Sequence, residues 1–307
     1  MQQEQTSQEF QLTYKTDDIN MIGGIYYFVE DFSQDAIIEL PFIGAIAFGD
    51  STFAGRFLSP SETDAIAAFF QLDYQFSEKL NLTAGIRYSE DTKKIDRLTT
   101  FSFSGTVVQT ALNSKDEASF DAVTPKFGLN YNIDDDMMIY ANITRGFKSG
   151  GFNFSDANRA FDPEYLWAYE AGLKADWLDG RFRSNFSTFY YDYTDLQVQA
   201  FVLADATQGT GVAIFNAADA DVSGIEMELT AKPTEDLTIT FSGTYLDATY
   251  KEFLTARDNG PSAGIPVDVK GNRLNSAPEL AYSFTAQYEK EVGDNVVATL
   301  RGEYSWR

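Results

Sequence analysis

"AIAAFFQLDYQFSEKLNLTAGIRY", residues 65–88, holds two alternating segments around one short polar turn. Ile66, Ala68, Phe70, Leu72, Tyr74 and Phe76 share one side, opposite Gln71, Asp73 and Gln75. Beyond Ser77-Glu78-Lys79, the residues Leu80, Leu82, Ala84, Ile86 and Tyr88 face away from Asn81, Thr83, Gly85 and Arg87. A period of two is strand spacing, because successive side chains point to opposite faces. The stretch reads as a hairpin with one apolar and one polar face, and parity alone does not say which face is wet.

The unit recurs along the chain. Polar turns stand at Thr16-Asp17-Asp18, Asp134-Asp135-Asp136, Leu178-Asp179-Gly180, Thr234-Glu235-Asp236 and Val292-Gly293-Asp294-Asn295, roughly 45 to 60 residues apart. A strand of about ten residues flanks each turn on both sides, the length a tilted strand needs to cross a bilayer. Longer stretches lie near 30–63, 90–120, 147–165, 195–220 and 249–277 and read as loops. Short turns at one end and long loops at the other is the layout of an outer-membrane barrel. Six hairpins give twelve strands.

The apolar stripes carry no charge. They include Ile225, Met227 and Leu229 against Glu226, Glu228 and Thr230, then Leu237, Ile239, Phe241 and Tyr245. Leu280, Tyr282, Phe284, Ala286 and Tyr288 form another, and Val296, Ala298, Leu300, Tyr304 and Trp306 stand opposite Arg301 and Glu303. A cation on the lipid face at the bilayer midplane costs about 2–4 kcal/mol, so clean stripes are what insertion requires. Aromatics gather at the stripe ends. Tyr74, Phe76, Tyr131, Trp177 and Tyr288 lie near the short turns, and Tyr27, Tyr88, Tyr190, Tyr245 and Trp306 near the long loops, as two interfacial girdles. The competing reading is a soluble antiparallel protein whose apolar stripe faces a core. It fits less well with ten-residue strands, aromatics at both stripe ends and such unequal connections.

Composition narrows the chemistry. The 307 residues include neither His nor Cys. That excludes disulfides, thiolate metal sites, imidazole-based hydrolysis and His-ligated zinc or haem from this stretch. Lys and Arg number 23 against 46 Asp and Glu, a net charge of −23, which argues against nucleic acid as a partner. No apolar run approaches the length of a transmembrane helix. The opening "MQQEQTSQEF" has neither the charged start nor the apolar stretch of a secretory signal. The chain reads either as a cytoplasmic protein or as an internal piece of a longer one.

Four stretches together carry a resemblance: "MIYANITRGFKSGGFN" (138–153), "FDPEYLWAYEAGLKADWLDGRFRSNFSTFYYDYTDLQV" (161–198), "FNAADADVSGIEMELTAKPTEDLTITFSGTYLDATY" (215–250) and "GNRLNSAPELAYSFTAQYE" (271–289). They resemble, in order, stretches of the barrel domain of TonB-dependent outer-membrane receptors, and cover most of residues 120–307. The resemblance implies an all-β, antiparallel transmembrane barrel segment, about twelve of the family's twenty-two strands. It implies residues 1–307 as a partial barrel domain, without plug, signal peptide or TonB box.

The implied function is active uptake of a scarce ligand, foremost an iron–siderophore complex. Cobalamin and saccharide receptors, or a smaller passive barrel, are the alternatives. The implied partners are TonB with its inner-membrane complex, acting through an N-terminal region this stretch lacks, the ferric siderophore, and outer-membrane lipid with lipopolysaccharide. The implied location is the outer membrane of a Gram-negative bacterium, and neither enzymatic activity nor a cofactor is implied.

Candidate site residues follow from parity and from the resemblance. In 140–153, Tyr140 to Thr144 is expected to cross the outer part of the bilayer. Arg145 has outward parity, so it should lie above the hydrocarbon or be re-aimed by a bulge at Gly146. Lys148 and Gly150-Gly151 should open an extracellular loop. Arg145 and Lys148 are ligand-contact candidates, joined through the resemblance by Tyr191, Tyr193 and Phe201 of "FYYDYTDLQVQAF" (189–201) and by Phe215. Arg87, Lys126, Glu170, Lys174, Glu226, Glu228, Arg301 and Glu303 are lumen-lining candidates, with Asp176 and Arg183 beside them. Their mixed signs suit pairing with each other, or with plug residues, better than a catalytic carboxylate dyad. Asp205, Asp219, Asp221 and Asn216 offer oxygens of the kind calcium takes, yet lack the compact spacing of a calcium loop and read as a solvated acidic loop.

Overall fold

A computed structural model describes residues 1–39, 52–103, 106–153, 160–202, 211–256 and 266–307. Every polar turn marked in the sequence closes an antiparallel hairpin. The first joins β1 (Gln2–Lys15) to β2 (Ile19–Glu39), the second β3 (Ala54–Gln75) to β4 (Leu80–Phe103), and the third β5 (Thr106–Asn132) to β6 (Met137–Lys148). Two short strands follow, β7 (Gly151–Phe152) and β8 (Ala160–Phe161). The remaining hairpins are β9 (Glu164–Trp177) with β10 (Phe182–Val202), β11 (Gly211–Ala231) with β12 (Leu237–Ala256), and β14 (Leu280–Gly293) with β15 (Val296–Trp306). Between the last two, β13 (Pro266–Asp268) adds to the far end of β12. The twelve long strands make one antiparallel meander, in the order β1-β2-β3-β4-β5-β6-β9-β10-β11-β12-β14-β15. Among the described residues, β1 and β15 each pair on one side only.

The turns form where side chains can replace backbone partners. Thr16 Oγ1 accepts the Ile19 N–H at 3.0 Å, Ser77 Oγ accepts that of Leu80 at 3.2 Å, and Asp134 Oδ1 accepts that of Asp136 at 3.0 Å. Ser, Thr and Asp favour tight turns for this reason. At 178–180 the chain runs through three left-handed residues, φ 55° at Leu178, 56° at Asp179 and 78° at Gly180.

Register carries the apolar stripe from strand to strand. Ile25 stands opposite Ala68, Ala68 opposite Tyr88 and Tyr88 opposite Val123; Ile143 meets Tyr169, Tyr169 meets Tyr190, Ile225 meets Tyr245 and Tyr245 meets Leu280. These side chains stand in the open: Phe70 is 46%, Ile86 53% and Ile225 54% exposed. A soluble sheet would bury them. Among the described residues most of the burial is on the other face, where Ala67, Phe120, Phe189, Ala220 and Ala248 are covered. The protein is inside-out relative to a soluble sandwich, which fits a face solvated by lipid.

The bands 66–74, 80–88, 123–131, 182–190, 237–245 and 280–288 are each about nine residues long, close to a bilayer crossing. Each has an exposed tyrosine at one end: Tyr74, Tyr88, Tyr131, Tyr190, Tyr245 and Tyr288. The expected girdle aromatics are all exposed, including Phe76, Trp177, Tyr27 and Trp306.

The loop expectation needs correction. The described parts of 30–63, 90–120 and 195–220 are mostly strand, and β5 reaches 27 residues. Beyond the bilayer both faces are polar, so the period-two signal vanishes although the ladder continues. Cross-strand pairs hold these extensions: Glu62 with Lys94 at 3.7 Å, Asp96 with Lys115 at 2.6 Å and Asp35 with Arg56 at 2.6 Å. Such exposed pairs fix register more than they add stability, because water screens them.

Candidate functional site

Three joints between an aromatic ring and a glycine shape the polar face. Phe69 stands opposite Gly24, Tyr140 opposite Gly172 and Phe189 opposite Gly224. A Cβ at each glycine would meet the facing ring at 2.7, 2.5 and 2.6 Å. The rings therefore lie down on the neighbouring strand, across a position only glycine leaves open. The wall stays low and its polar groups stay accessible.

Those polar groups are the charges singled out by parity. Tyr140 donates to Glu170 at 2.6 Å, and Lys174 lies 5.6 Å from the Tyr140 ring centre. Glu226 accepts from Ser187 at 3.5 Å and Glu228 from Asn185 at 3.4 Å. Arg183 grips Asp176 through two bonds of 2.6 and 2.9 Å, and Arg301 meets Glu303 at 3.0 Å. Arg87 donates to Ser89 at 2.9 Å and sits over the Tyr26 and Phe69 rings. Lys126 is exposed, opposite Gly85 and Thr144. Tyr140 lies in the half of the span nearer the short turn, three residues into β6, rather than in the outer part.

Arg145 keeps the outward parity expected of it. The ladder between β5 and β6 ends at Lys126 and Thr144, beside Pro125, which has no N–H to give. Above that point β6 keeps regular register with β9, so no bulge occurs at Gly146. Arg145 stays on the apolar-face side, at the end of the stripe. Its guanidinium stacks 4.4 Å from the Tyr165 ring centre and donates to the Val123 carbonyl at 3.3 Å. The side chain snorkels along the wall and is turned away from the polar face.

The chain leaves the sheet after Lys148, as expected, and its described part folds against the polar wall. Lys148 ends β6 and lies 3.8 Å from Glu164. Lys93 of β4 donates to the Gly150 carbonyl at 2.7 Å. Arg97, 1% exposed, donates to the Asn153 carbonyl at 2.5 Å and to Ser114 at 3.1 Å, and pairs with Asp116. Asn153 then bonds reciprocally with the Ile214 backbone on β11, accepting at 2.7 Å and donating at 2.9 Å. Asn216 does the same for Asp162, at 2.5 and 2.7 Å. Gln197 donates to the carbonyls of Ser149 at 2.9 Å and Asp162 at 3.1 Å. A Cβ at Gly150 would strike the Phe161 carbonyl at 2.4 Å and the Phe120 ring at 2.5 Å, so this seat needs glycine. Burial lowers the pKa of Lys93 against the opposing pull of Asp91 and Glu30.

Tyr191 and Tyr193, expected in a loop, are strand residues of β10 on the polar face. Tyr191 stacks on Phe189 with ring centres 4.8 Å apart, and burial, then Glu164, raises the pKa of Tyr193. Phe201 stands opposite Val212 on the β10–β11 ladder, its side chain lying outside the described residues, and Phe215 stands opposite Val198. Of the residues read as a solvated acidic loop, Asn216, Asp219 and Asp221 are strand residues of β11 with partners of their own. Asp219 accepts the Asp195 N–H at 3.1 Å, Asp221 meets Lys251 at 2.9 Å, Asn216 serves Asp162, and Asp205 lies outside the described residues. Among the described residues no three acidic groups are placed to hold a metal. Lys251 also meets Asp192 at 2.7 Å, and the bonds it donates to both carboxylates raise its pKa.

Lys93, Arg97, Asn153 and Gln197 escaped the sequence reading. Lys93 and Arg97 share the parity of Arg87 on β4, and that was the available signal.

Residues 2–307 match the family model described as TonB dependent receptor-like, beta-barrel. The chain is 28% identical over 236 residues to the metal-pseudopaline receptor CntO of Pseudomonas aeruginosa, a match covering 76% of this chain and 29% of that protein. It is 24% identical over 170 residues to the pesticin receptor of Yersinia enterocolitica, covering 54% and 23%. The chain thus spans less than a third of the curated relatives' length. In fold it is similar to the ferric yersiniabactin uptake receptor FyuA from Yersinia pestis, with a TM-score of 0.75, 17% identity, and coverage of 97% of this chain and 42% of that one.

Proposed function

The chain belongs to the TonB-dependent receptor-like β-barrel family, and from that premise we propose that it forms about half the barrel wall of a longer receptor for energised uptake across the outer membrane of a Gram-negative bacterium. The observation that carries this reading is the inverted distribution of polarity. A bilayer-high apolar band stands exposed on one face while charges line the other. Lipid and lipopolysaccharide would cover the first face, and the second would line a lumen occupied by a plug supplied by the rest of the protein. Arg87, Lys126, Glu170, Lys174, Glu226, Glu228, Arg301 and Glu303 would be its lumenal charges.

The ligand class we favour is a metal ion held by a small organic chelator, foremost a ferric siderophore. Similarity to a protein named as a metal-pseudopaline receptor, and to others named as ferric-pyoverdine receptors, supports it. Tyr191 and Tyr193 would contribute aromatic surface to the ligand cup, with Lys148 at its rim. The wall has no His or Cys, so metal would be recognised through its chelator, with the protein supplying rings and charge. TonB would supply the energy through the part of the receptor outside this chain.

The test is uptake by cells lacking the gene, offered radioactive iron on their own siderophore, labelled cobalamin and labelled oligosaccharide in turn. Loss of iron uptake, restored by the full-length gene only in a TonB-competent strain, is the expected result. Loss confined to cobalamin or sugar would overturn the ligand class. Uptake that ignores TonB would overturn the energised reading in favour of a passive channel.

A further inference from the structure

The connection between β6 and β9 differs from a free extracellular loop in how it is held. Its described parts, residues 149–153 and 160–163, touch both sides of the wall they spring from. Toward β4 and β5 they are held by Lys93 and Arg97 through the carbonyls of Gly150 and Asn153. Toward β10 and β11 they are held by Gln197, Asn216 and the backbone of Ile214. Two asparagines perform the same operation in opposite directions. Asn153 lends its amide to the wall as though it were a strand residue, and Asn216 lends its amide from the wall to the connection. Each amide donates to and accepts from one backbone residue across the gap, the exchange that a ladder pair would make, and that of Asn216 also donates to the Asp195 carbonyl at 2.9 Å.

Arg97 is the centre of the near side. Its buried guanidinium has three hydrogen-bond partners on two segments, Ser114 and Asp116 on β5 and Asn153 on the connection, and it lies 5.8 Å from the Phe152 ring centre. A planar, five-donor cation suits this seat, and a lysine could not reach all three partners.

We propose that the described parts of this connection, residues 149–153 and 160–163, form a fixed brace tying β4–β5 to β10–β11 across the polar face, and that Arg97 is the residue that positions it. The brace itself is independent of the ligand. On the uptake reading, which this consequence rests on, these residues are a static ledge of the ligand cup and not an arm that closes.

The experiment is hydrogen exchange on the full-length receptor in detergent without ligand, so its outcome does not depend on the uptake reading. The amides of Asp162 and Ile214, which donate to asparagine side chains, should exchange as slowly as paired wall strands. Arg97→Met should speed exchange at 150–153 and 160–163 by about tenfold or more, leaving the 169–190 region of β9–β10 unchanged. Should Arg97→Met fail to give a heat-modifiable folded band, Asn216→Ala releases the same segment from the opposite side and should show the same pattern. Wild-type brace amides exchanging at free-loop rates, or folded variants that leave them protected, would overturn the proposal.

Discussion

The ring of Tyr140 lies across the bare backbone of Gly172 on the neighbouring strand, and its hydroxyl donates to Glu170 at 2.6 Å. The glycine makes room and the carboxylate fixes direction, so a bulky residue occupies the wall without standing up into the space beside it.

Gly172→Ala should therefore be costly although alanine is small. Its Cβ would meet the Tyr140 ring at 2.5 Å and the Phe186 carbonyl at 2.6 Å. Overpacking of this kind costs about 1–3 kcal/mol. Adding Tyr140→Ala should recover only part of the loss, because the carbonyl remains. Urea unfolding of the full-length receptor in lipid vesicles measures both steps.

The two faces should respond oppositely to the same cation. Phe70 is at the centre of its apolar band, where arginine costs about 2–4 kcal/mol. Gln71, its neighbour on the polar face, should accept arginine within about 1 kcal/mol. Comparable losses at both positions in vesicle-folded protein would contradict the lipid-facing assignment.

Lys251 holds two carboxylates, Asp192 at 2.7 Å and Asp221 at 2.9 Å. Lys251→Met leaves like charges side by side at the end of the band. We expect a loss of about 1 kcal/mol after solvent screening, shrinking as salt rises. Asp192→Asn in that background should recover much of it, read as the change in thermal midpoint.

Asp195 sits at a register shift with φ 56°, and its pKa is raised by burial and by the charges of Asp219 and Asp162. A carboxyl raised in the folded state favours folding only where it is protonated, below its unfolded value of 3.8. That contribution disappears as pH rises through the folded value. Asp195→Asn, which keeps the left-handed backbone tolerable, should stabilise the protein at neutral pH by a few tenths of a kcal/mol. The gain should fade on acidification toward pH 3.8, and a pH series of thermal melts decides it.

What the sequence determined by itself was the wall within the bilayer. Lipid accepts only apolar side chains on one face, so Ile66 to Tyr74 and Leu80 to Tyr88 had to alternate cleanly, and the six polar turns had to stand at their ends. The girdle tyrosines and the charges of the polar face followed from the same parity. Above the bilayer that constraint lifts. Glu62, Lys94 and Lys115 face water on strands whose composition is that of a loop, and only cross-strand pairing makes them part of the sheet. The seat of residues 149–153 was still less legible. Its glycines read as a turn, but the direction of the turn is set by Arg97, Gln197 and the backbone of Ile214, which lie roughly 48 to 61 residues from the groups they bond and meet it only when the strands pair. Hydrogen bonds between such distant residues have no period, so only the tertiary structure could decide them.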